Sequence, residues 1–204
     1  MIATSTLVLL REWEVKDSST FLKFHSEYDK WKELNGPYFK EQTLEEIQNM
    51  FPRMADHLDG IPEALVIEER TTGEFIGLVN WYWISKETNW PAVGVVIYDE
   101  KKWKKGLGFQ ALGLWCDFLF SCATFARLDM RTWSGNHGIQ HLAKKLGFTE
   151  EARFRKARIV KGEYYDALGF GILREEWEAL YPSGFFREKP IFESPNTPSL
   201  PSTP

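Results

Sequence analysis

Residues 93–112, VGVVIYDEKKWKKGLGFQAL, constrain this chain more than any other stretch. An apolar strand-like run leads into a lysine-rich loop, and Gly106 and Gly108 then open a helix. Leu107, Ala111, Leu114, Trp115 and Phe118 keep helical spacing along it. Glycines let backbone N–H groups approach a ligand closely, and a helix N-terminus favours anions, so the segment predicts a phosphate site. Lys101, Lys102, Lys104 and Lys105 add positive charge. A Walker loop requires Lys-Ser/Thr after its last glycine, and Phe109-Gln110 stand there instead. A dinucleotide fingerprint fits Gly106, Gly108, Ala111 and Asp129 in spacing. However, its glycines should follow the strand almost directly, and a charged loop separates Tyr98 from Gly106.

Around this segment the pattern alternates between strands and helices. Residues 6–14 read as a strand, and Asp17-Ser18-Ser19 open a helix to about residue 28. Thr43 and Glu46 make a capping box for a helix running toward His57, with a kink at Pro52. Strands are expected over 64–70, 75–84 and 92–98, then a helix from Gly106 to about Ser121 and a strand over 126–133. A helix over 136–146 is stopped by Gly147, strands follow over 150–161 and 163–173, and a helical turn over 174–180. This order predicts an α+β (mixed α/β) layer fold with one domain over residues 1–180. Six of the ten prolines lie in residues 181–204, which predicts a disordered Pro/Ser-rich tail there.

Three ordered motifs resemble the GNAT superfamily of N-acetyltransferases. The first is Trp103-Lys104-Lys105-Gly106-Leu107-Gly108, similar to that superfamily's Arg/Gln-x-x-Gly-x-Gly/Ala, with Trp103 in the first place. The second is Gly135-Asn136 followed by a helix into Leu146-Gly147-Phe148. The third, Lys161-Gly162-Glu163-Tyr164-Tyr165-Asp166 with the following Gly171-Ile172-Leu173-Arg174-Glu175-Glu176-Trp177, resembles the branch that includes the ribosomal-protein N-terminal acetyltransferases. The resemblance covers residues 6–180. It implies a central mixed sheet of about seven strands, flanked by helices and splayed open where acetyl-CoA enters. It further implies that Val96, Ile97 and Tyr98 pair with the pantetheine arm through their backbones. Backbone N–H groups from Lys104, Lys105, Gly106, Leu107, Gly108 and Phe109 would hold the pyrophosphate, and Asn136 would touch the cofactor. The implied reaction moves an acetyl group directly from acetyl-CoA to a primary amine, a peptide N-terminus or a small amine. A non-catalytic acyl-CoA sensor or scaffold is the alternative, because the usual catalytic Glu, Tyr and Ser fall at Ala92, Ala143 and Ile139. Ser134 is the remaining candidate catalytic residue.

The other tempting residues give weaker readings. His137 and His141 are one helical turn apart, but Gly138 occupies the place of a zinc protease's glutamate, so no metal is expected. Cys116 and Cys122 lie six residues apart in one helix and point away from each other, as two small core side chains would. Net charge is −4, which argues against a nucleic-acid partner. Apolar runs are too short to span a membrane, and the first residues lack a leader pattern, so a cytoplasmic monomer or homodimer is expected. Glu163 and Asp166 hint at a cationic acceptor, and Trp81, Trp83 and Trp90 at an aromatic wall or at sheet packing.

Overall fold

The computed structural model describes residues 2–27, 30–51 and 54–185. An eight-stranded sheet forms its centre. In chain order its strands are β1 (Ala3–Thr4), β2 (Val8–Arg11), β5 (Ala64–Glu69), β6 (Glu74–Ser85), β7 (Trp90–Ile97), β8 (Arg127–Trp133), β9 (Thr149–Val160) and β10 (Glu163–Leu173). A separate ribbon pairs β3 (His57–Leu58) with β4 (Ile61–Pro62). Across the sheet the order is β1-β2-β5-β6-β7-β8-β10-β9. Every pairing is antiparallel except β7 with β8. The helices are α1 (Asp17–Glu27), α2 (Leu44–Gln48), α3 (Leu107–Cys122), α4 (His137–Leu146) and α5 (Arg174–Leu180).

Strand alternation builds two cores, one on each face of the sheet. On the back face, Leu65, Ile67, Val79, Trp81, Val93, Leu128 and Met130 pack under α3 and α4, which contribute Ala111, Leu112, Trp115, Ala143 and Leu146. On the front face, Val66, Phe75, Leu78 and Tyr98 meet Phe21 of α1, Ile47 of α2 and Trp31. The back core is the larger because α3 is apolar nearly all round.

The strands expected over 64–70, 75–84, 92–98, 126–133, 150–161 and 163–173 all form, within a residue or two at their ends. The sheet holds eight strands rather than seven, because residues 6–14 yield β2 alone and a further short strand, β1, precedes it. The helix expected from Thr43 toward His57 is corrected more sharply. The capping box is present, yet α2 ends at Gln48. Phe51 is drawn onto Trp13 and Phe21 at 5.9 and 6.0 Å, and residues 57–62 turn back as the β3–β4 ribbon. Pro52 lies outside the described residues. The start of the tail is corrected too. Tyr181 and Phe185 pack on Trp177 at 4.4 and 5.7 Å, and Phe185 fills the space that a Cβ on Gly113 would take. The rest of the expected disorder, residues 186–204, lies outside the described residues.

His25 joins the front core, 4.2 Å from Phe21 and 4.8 Å from Trp31 between ring centroids. Burial lowers its pKa below the ordinary 6.5, against a raising hydrogen bond to the Phe21 carbonyl. A histidine depressed in the folded state stabilises the fold above its unfolded pKa and loses that stabilisation as pH falls through the folded value. Melting temperature should therefore fall on acidification from pH 6.5, and His25→Phe should flatten that part of the profile. An unchanged slope in thermal melts of the variant would assign the pH dependence to other groups.

Candidate active site

β7 and β8 run side by side only at Ala92 opposite Asp129. Beyond that pair they diverge: β7 stays with β6, and β8 stays with β10 as far as Trp133. The sheet thus splits at the carboxyl ends of its one parallel pair, the place where open α/β sheets offer a crevice. Tyr98 donates its N–H to the Ile76 carbonyl, which fixes the phase of the β6–β7 ladder. The backbones of Val96 and Tyr98 therefore face β6, and those of Val95 and Ile97 face the opening. Among the three residues expected to present their backbone, Ile97 does so and Val96 and Tyr98 do not; Val95 is the residue missed. The Ile97 carbonyl is bonded by Trp103 Nε1 at 2.7 Å, so Trp103 ties the lysine loop to the end of β7. The peptide group of Val95 and the Ile97 N–H remain along the open edge.

The loop above this edge turns through two left-handed residues, Lys104 (φ 60°) and Gly106 (φ 81°). Gly106 caps α3 without any side-chain bond, so the amides of Leu107, Gly108 and Phe109 point outward with no partner among the described residues. Left-handed residues beside a bare helix N-terminus form a concave cradle for an anion. Gln110 anchors it: its Oε1 accepts from Ser5 Oγ at 2.5 Å and Leu7 N at 3.0 Å, which holds α3 against the β1–β2 turn. Lys102 does not serve the cradle, because Glu69 and Glu74 hold it at 2.5 and 2.7 Å. Lys101, Lys104 and Lys105 make no ion pair with described residues. Lys145, at the end of α4, lies 4.3 Å from the Phe109 ring centroid and adds a cation that helix spacing alone could not place.

A strand edge with free peptide groups, capped by an anion cradle, suits a long ligand with an amide-bearing arm and a phosphate. The comparisons with known proteins agree. Residues 8–149 match the acetyltransferase (GNAT) domain family. The chain belongs to the GNAT acetyltransferase family. An SPbeta prophage-derived uncharacterized N-acetyltransferase, YokL, of Bacillus subtilis is 25% identical over 135 residues, which are 63% of this chain and 76% of that protein. An uncharacterized N-acetyltransferase, p20, of Bacillus licheniformis is 24% identical over 171 residues, 82% of this chain and 93% of that one. A GNAT-family acetyltransferase structure from Bacillus anthracis has a TM-score of 0.70 at 19% identity, covering 86% of this chain and 99% of that chain. Spermidine N-acetyltransferase from Vibrio cholerae, solved with CoA and spermine, has a TM-score of 0.70 at 17% identity, covering 85% and 99%. These two likenesses bear on the fold. The reaction class that comes with the family is acyl transfer from coenzyme A.

In this GNAT chain the three positions at which the resemblance puts the usual catalytic side chains are covered. Ala92 and Ala143 are fully buried, and Ile139 packs half-buried against the back core. Ser134 directly follows β8, with its Oγ accepting the Asp166 N–H at 3.0 Å, while its own N–H donates to the Asp166 carbonyl at 2.9 Å. This clasp holds β8 to β10 and leaves the Ser134 hydroxyl proton available for donation. Asn136 caps α4 by accepting from the Ile139 N–H at 3.2 Å, and its Nδ2 donates to the Leu34 carbonyl at 3.1 Å. Trp133 Nε1 donates to the same carbonyl at 3.0 Å. Residues 31–40 are therefore strapped across the front of the opening, pinned further by Lys161 to Glu33 at 2.8 Å. Gly135 is required beside this clamp, because a Cβ there would fall inside the Trp133 ring. Trp81 is fully buried on the back face and donates to the Pro62 carbonyl, which makes it sheet packing rather than an acceptor wall. Asp166 is held by Arg153 at 2.9 Å and by the Lys156 N–H at 3.0 Å, which depress its carboxyl. It is not free to draw in a cation. His137 and His141 gather no third ligand, and no group of three potential metal ligands occurs among the described residues.

Proposed function

We propose that this chain transfers an acetyl group from acetyl-CoA to a primary amine, a peptide N-terminus or a small amine, in the cytoplasm. The single observation behind this reading is the split between β7 and β8 beneath an uncapped α3 N-terminus. The amides of Leu107, Gly108 and Phe109, with Lys104, Lys105 and the turn at Gly106, suit a pyrophosphate. The Val95 peptide and the Ile97 N–H suit the amides of a pantetheine arm, and the free valences of Asn136 suit its inner end. The amine enters from the front face, attacks the thioester carbonyl, and forms the C–N bond as the C–S bond breaks. The ammonium proton leaves to water, which suffices when the amine is held in line with the carbonyl. Ser134 passes its hydroxyl proton to the leaving thiolate and regains one, through water, from the nitrogen of the collapsing adduct, so the second N–H proton ends on sulfur and the serine is unchanged. The likeness of the last hairpin to ribosomal-protein N-terminal acetyltransferases supports a peptide N-terminus.

The test is incubation with acetyl-CoA and a panel of amines and peptides, reading released thiol. Release well above the acceptor-free rate is expected with at least one acceptor class. Acetyl-CoA binding without any release would favour an acyl-CoA sensor or scaffold instead.

A further inference from the structure

Arg158 of β9 stands opposite Tyr165 of β10, and the Tyr165 ring meets Trp133 edge-on at 4.7 Å. Paired residues share a face, so Arg158 projects from the front of the sheet beside the clamp at Leu34. Its guanidinium lies 4.6 Å from the ring centroid of Tyr38, on the strap. Nη1 donates to the Ala157 carbonyl at 2.9 Å, while Nε is buried with no hydrogen-bond partner. A buried donor without a partner is costly and calls for an acceptor. The other such atom among the described residues, Trp90 Nε1, also belongs to a front-facing side chain, stacked by Arg127 and Arg131 at 5.9 and 5.3 Å.

Both unmet groups are donors, and the carboxylates of Asp129, Asp166 and Glu33 are engaged, while Glu163, on the same face of β10 as Tyr165, forms no ion pair with described residues. Asp129 is held by Arg127 and Arg131, Asp166 by Arg153, and Glu33 by Lys161. The surroundings of Arg158 and Trp90 ask for hydrogen-bond acceptors. We propose that the acceptor substrate is an α-amine with a neighbouring carbonyl or carboxylate oxygen, as in a peptide N-terminus or an amino acid, and that Arg158 binds that oxygen beside Tyr38. The inference rests on the acetyl-transfer reading above and narrows it. A polyamine has no such oxygen, would leave Nε unmet, and would bring further cations toward Arg158 and Arg131.

The experiment measures binding by calorimetry in the presence of CoA, and acetylation by thiol release. The probes are a mixed set of dipeptide amides, free leucine and spermidine, each with the unaltered chain, Arg158→Gln and Arg158→Lys. Dipeptide amides or leucine should bind and react. Arg158→Gln should raise their Kd and KM about tenfold or more, with kcat little changed and acetyl-CoA affinity unaltered, and Arg158→Lys should recover part of the loss. Preference for leucine over the amides identifies a carboxylate as the recognised group, and the reverse identifies a peptide carbonyl. Tighter binding of spermidine than of either, or an Arg158→Gln chain with unchanged dipeptide and leucine Kd, overturns the proposal. Arg158-dependent binding with no thiol release would leave this assignment standing and remove the acetyl-transfer reading.

Discussion

Gly108→Val is expected to weaken acetyl-CoA binding tenfold or more, about 1.4 kcal/mol, with the melting temperature nearly unchanged. The two halves of that expectation have separate causes. A Cβ on Gly108 would stand 3.8 Å from Ile97 Cγ1, an ordinary contact, and its φ is not positive, so the fold has room for a side chain. The amide of Gly108 is one of those pointing outward from the bare N-terminus of α3, and added bulk keeps a phosphate from reaching it. Gly106→Val is the informative contrast. At φ 81° it requires a left-handed backbone that valine resists, so it should lower stability as well as affinity. Calorimetry and thermal melts on both variants check the pair. Unchanged affinity in Gly108→Val would move the phosphate site away from α3. Neutralising Lys101, Lys104 and Lys105 should cost less affinity, and more at low salt than at high, because exposed charges are screened.

Asp17→Ala is expected to cost about 3 kcal/mol of stability, and roughly 10 °C in melting temperature for a domain of this size. Asp17 begins α1 and binds Arg11 with both oxygens, at 2.7 and 2.8 Å, while Arg11 Nε reaches Glu68 at 2.7 Å. The Arg11 and Asp17 side chains are 9% and 3% exposed, so removing the carboxylate leaves Nη2 of a nearly buried guanidinium without an acceptor and Glu68 as its one remaining close carboxylate. Burial pushes the Asp17 pKa up, and the hydrogen bonds from Arg11 and the Glu14 amide outweigh it, leaving the net value low. A carboxylate depressed in this way contributes stability above its ordinary value of 3.8, and that contribution is lost as pH falls through the folded value. The pair fixes α1 on β2 and β5, and with it the front core from which the strap at residues 31–40 departs. Denaturant melts give the number directly. A loss under about 1 kcal/mol would place the pair with exposed surface pairs.

The sequence located most of the elements because their apolar spacing is unambiguous. The run 163–173 is strand to the residue, and Asn136 and Gly147 cap α4 as their side chains and backbone freedom dictate. It misjudged α2, since a capping box specifies where a helix starts and says nothing about the pull of Phe51 on Trp13 and Phe21. It also placed four lysines at the phosphate loop, and could not anticipate that Glu69 and Glu74, on strands met only in the folded sheet, take Lys102.

What the residues determined alone was local: a strand running into glycines, an uncapped helix start, and a turn that only Gly106 makes without strain. Conformational preference and hydrogen-bond capacity belong to short segments, so these are legible without neighbours. The tertiary structure decided everything that depends on phase and pairing. Which of Val95, Val96 and Ile97 turns its peptide toward the opening follows from the β6–β7 register, because one step along a strand reverses the direction of every peptide group. Whether Asp166 attracts an amine follows from Arg153 and Lys156 across the hairpin. That Arg158 is left with an unmet donor beside Tyr38 follows from a strap more than a hundred residues earlier in the chain, pinned by Trp133 and Asn136 on a carbonyl whose acceptor capacity the sequence cannot assign.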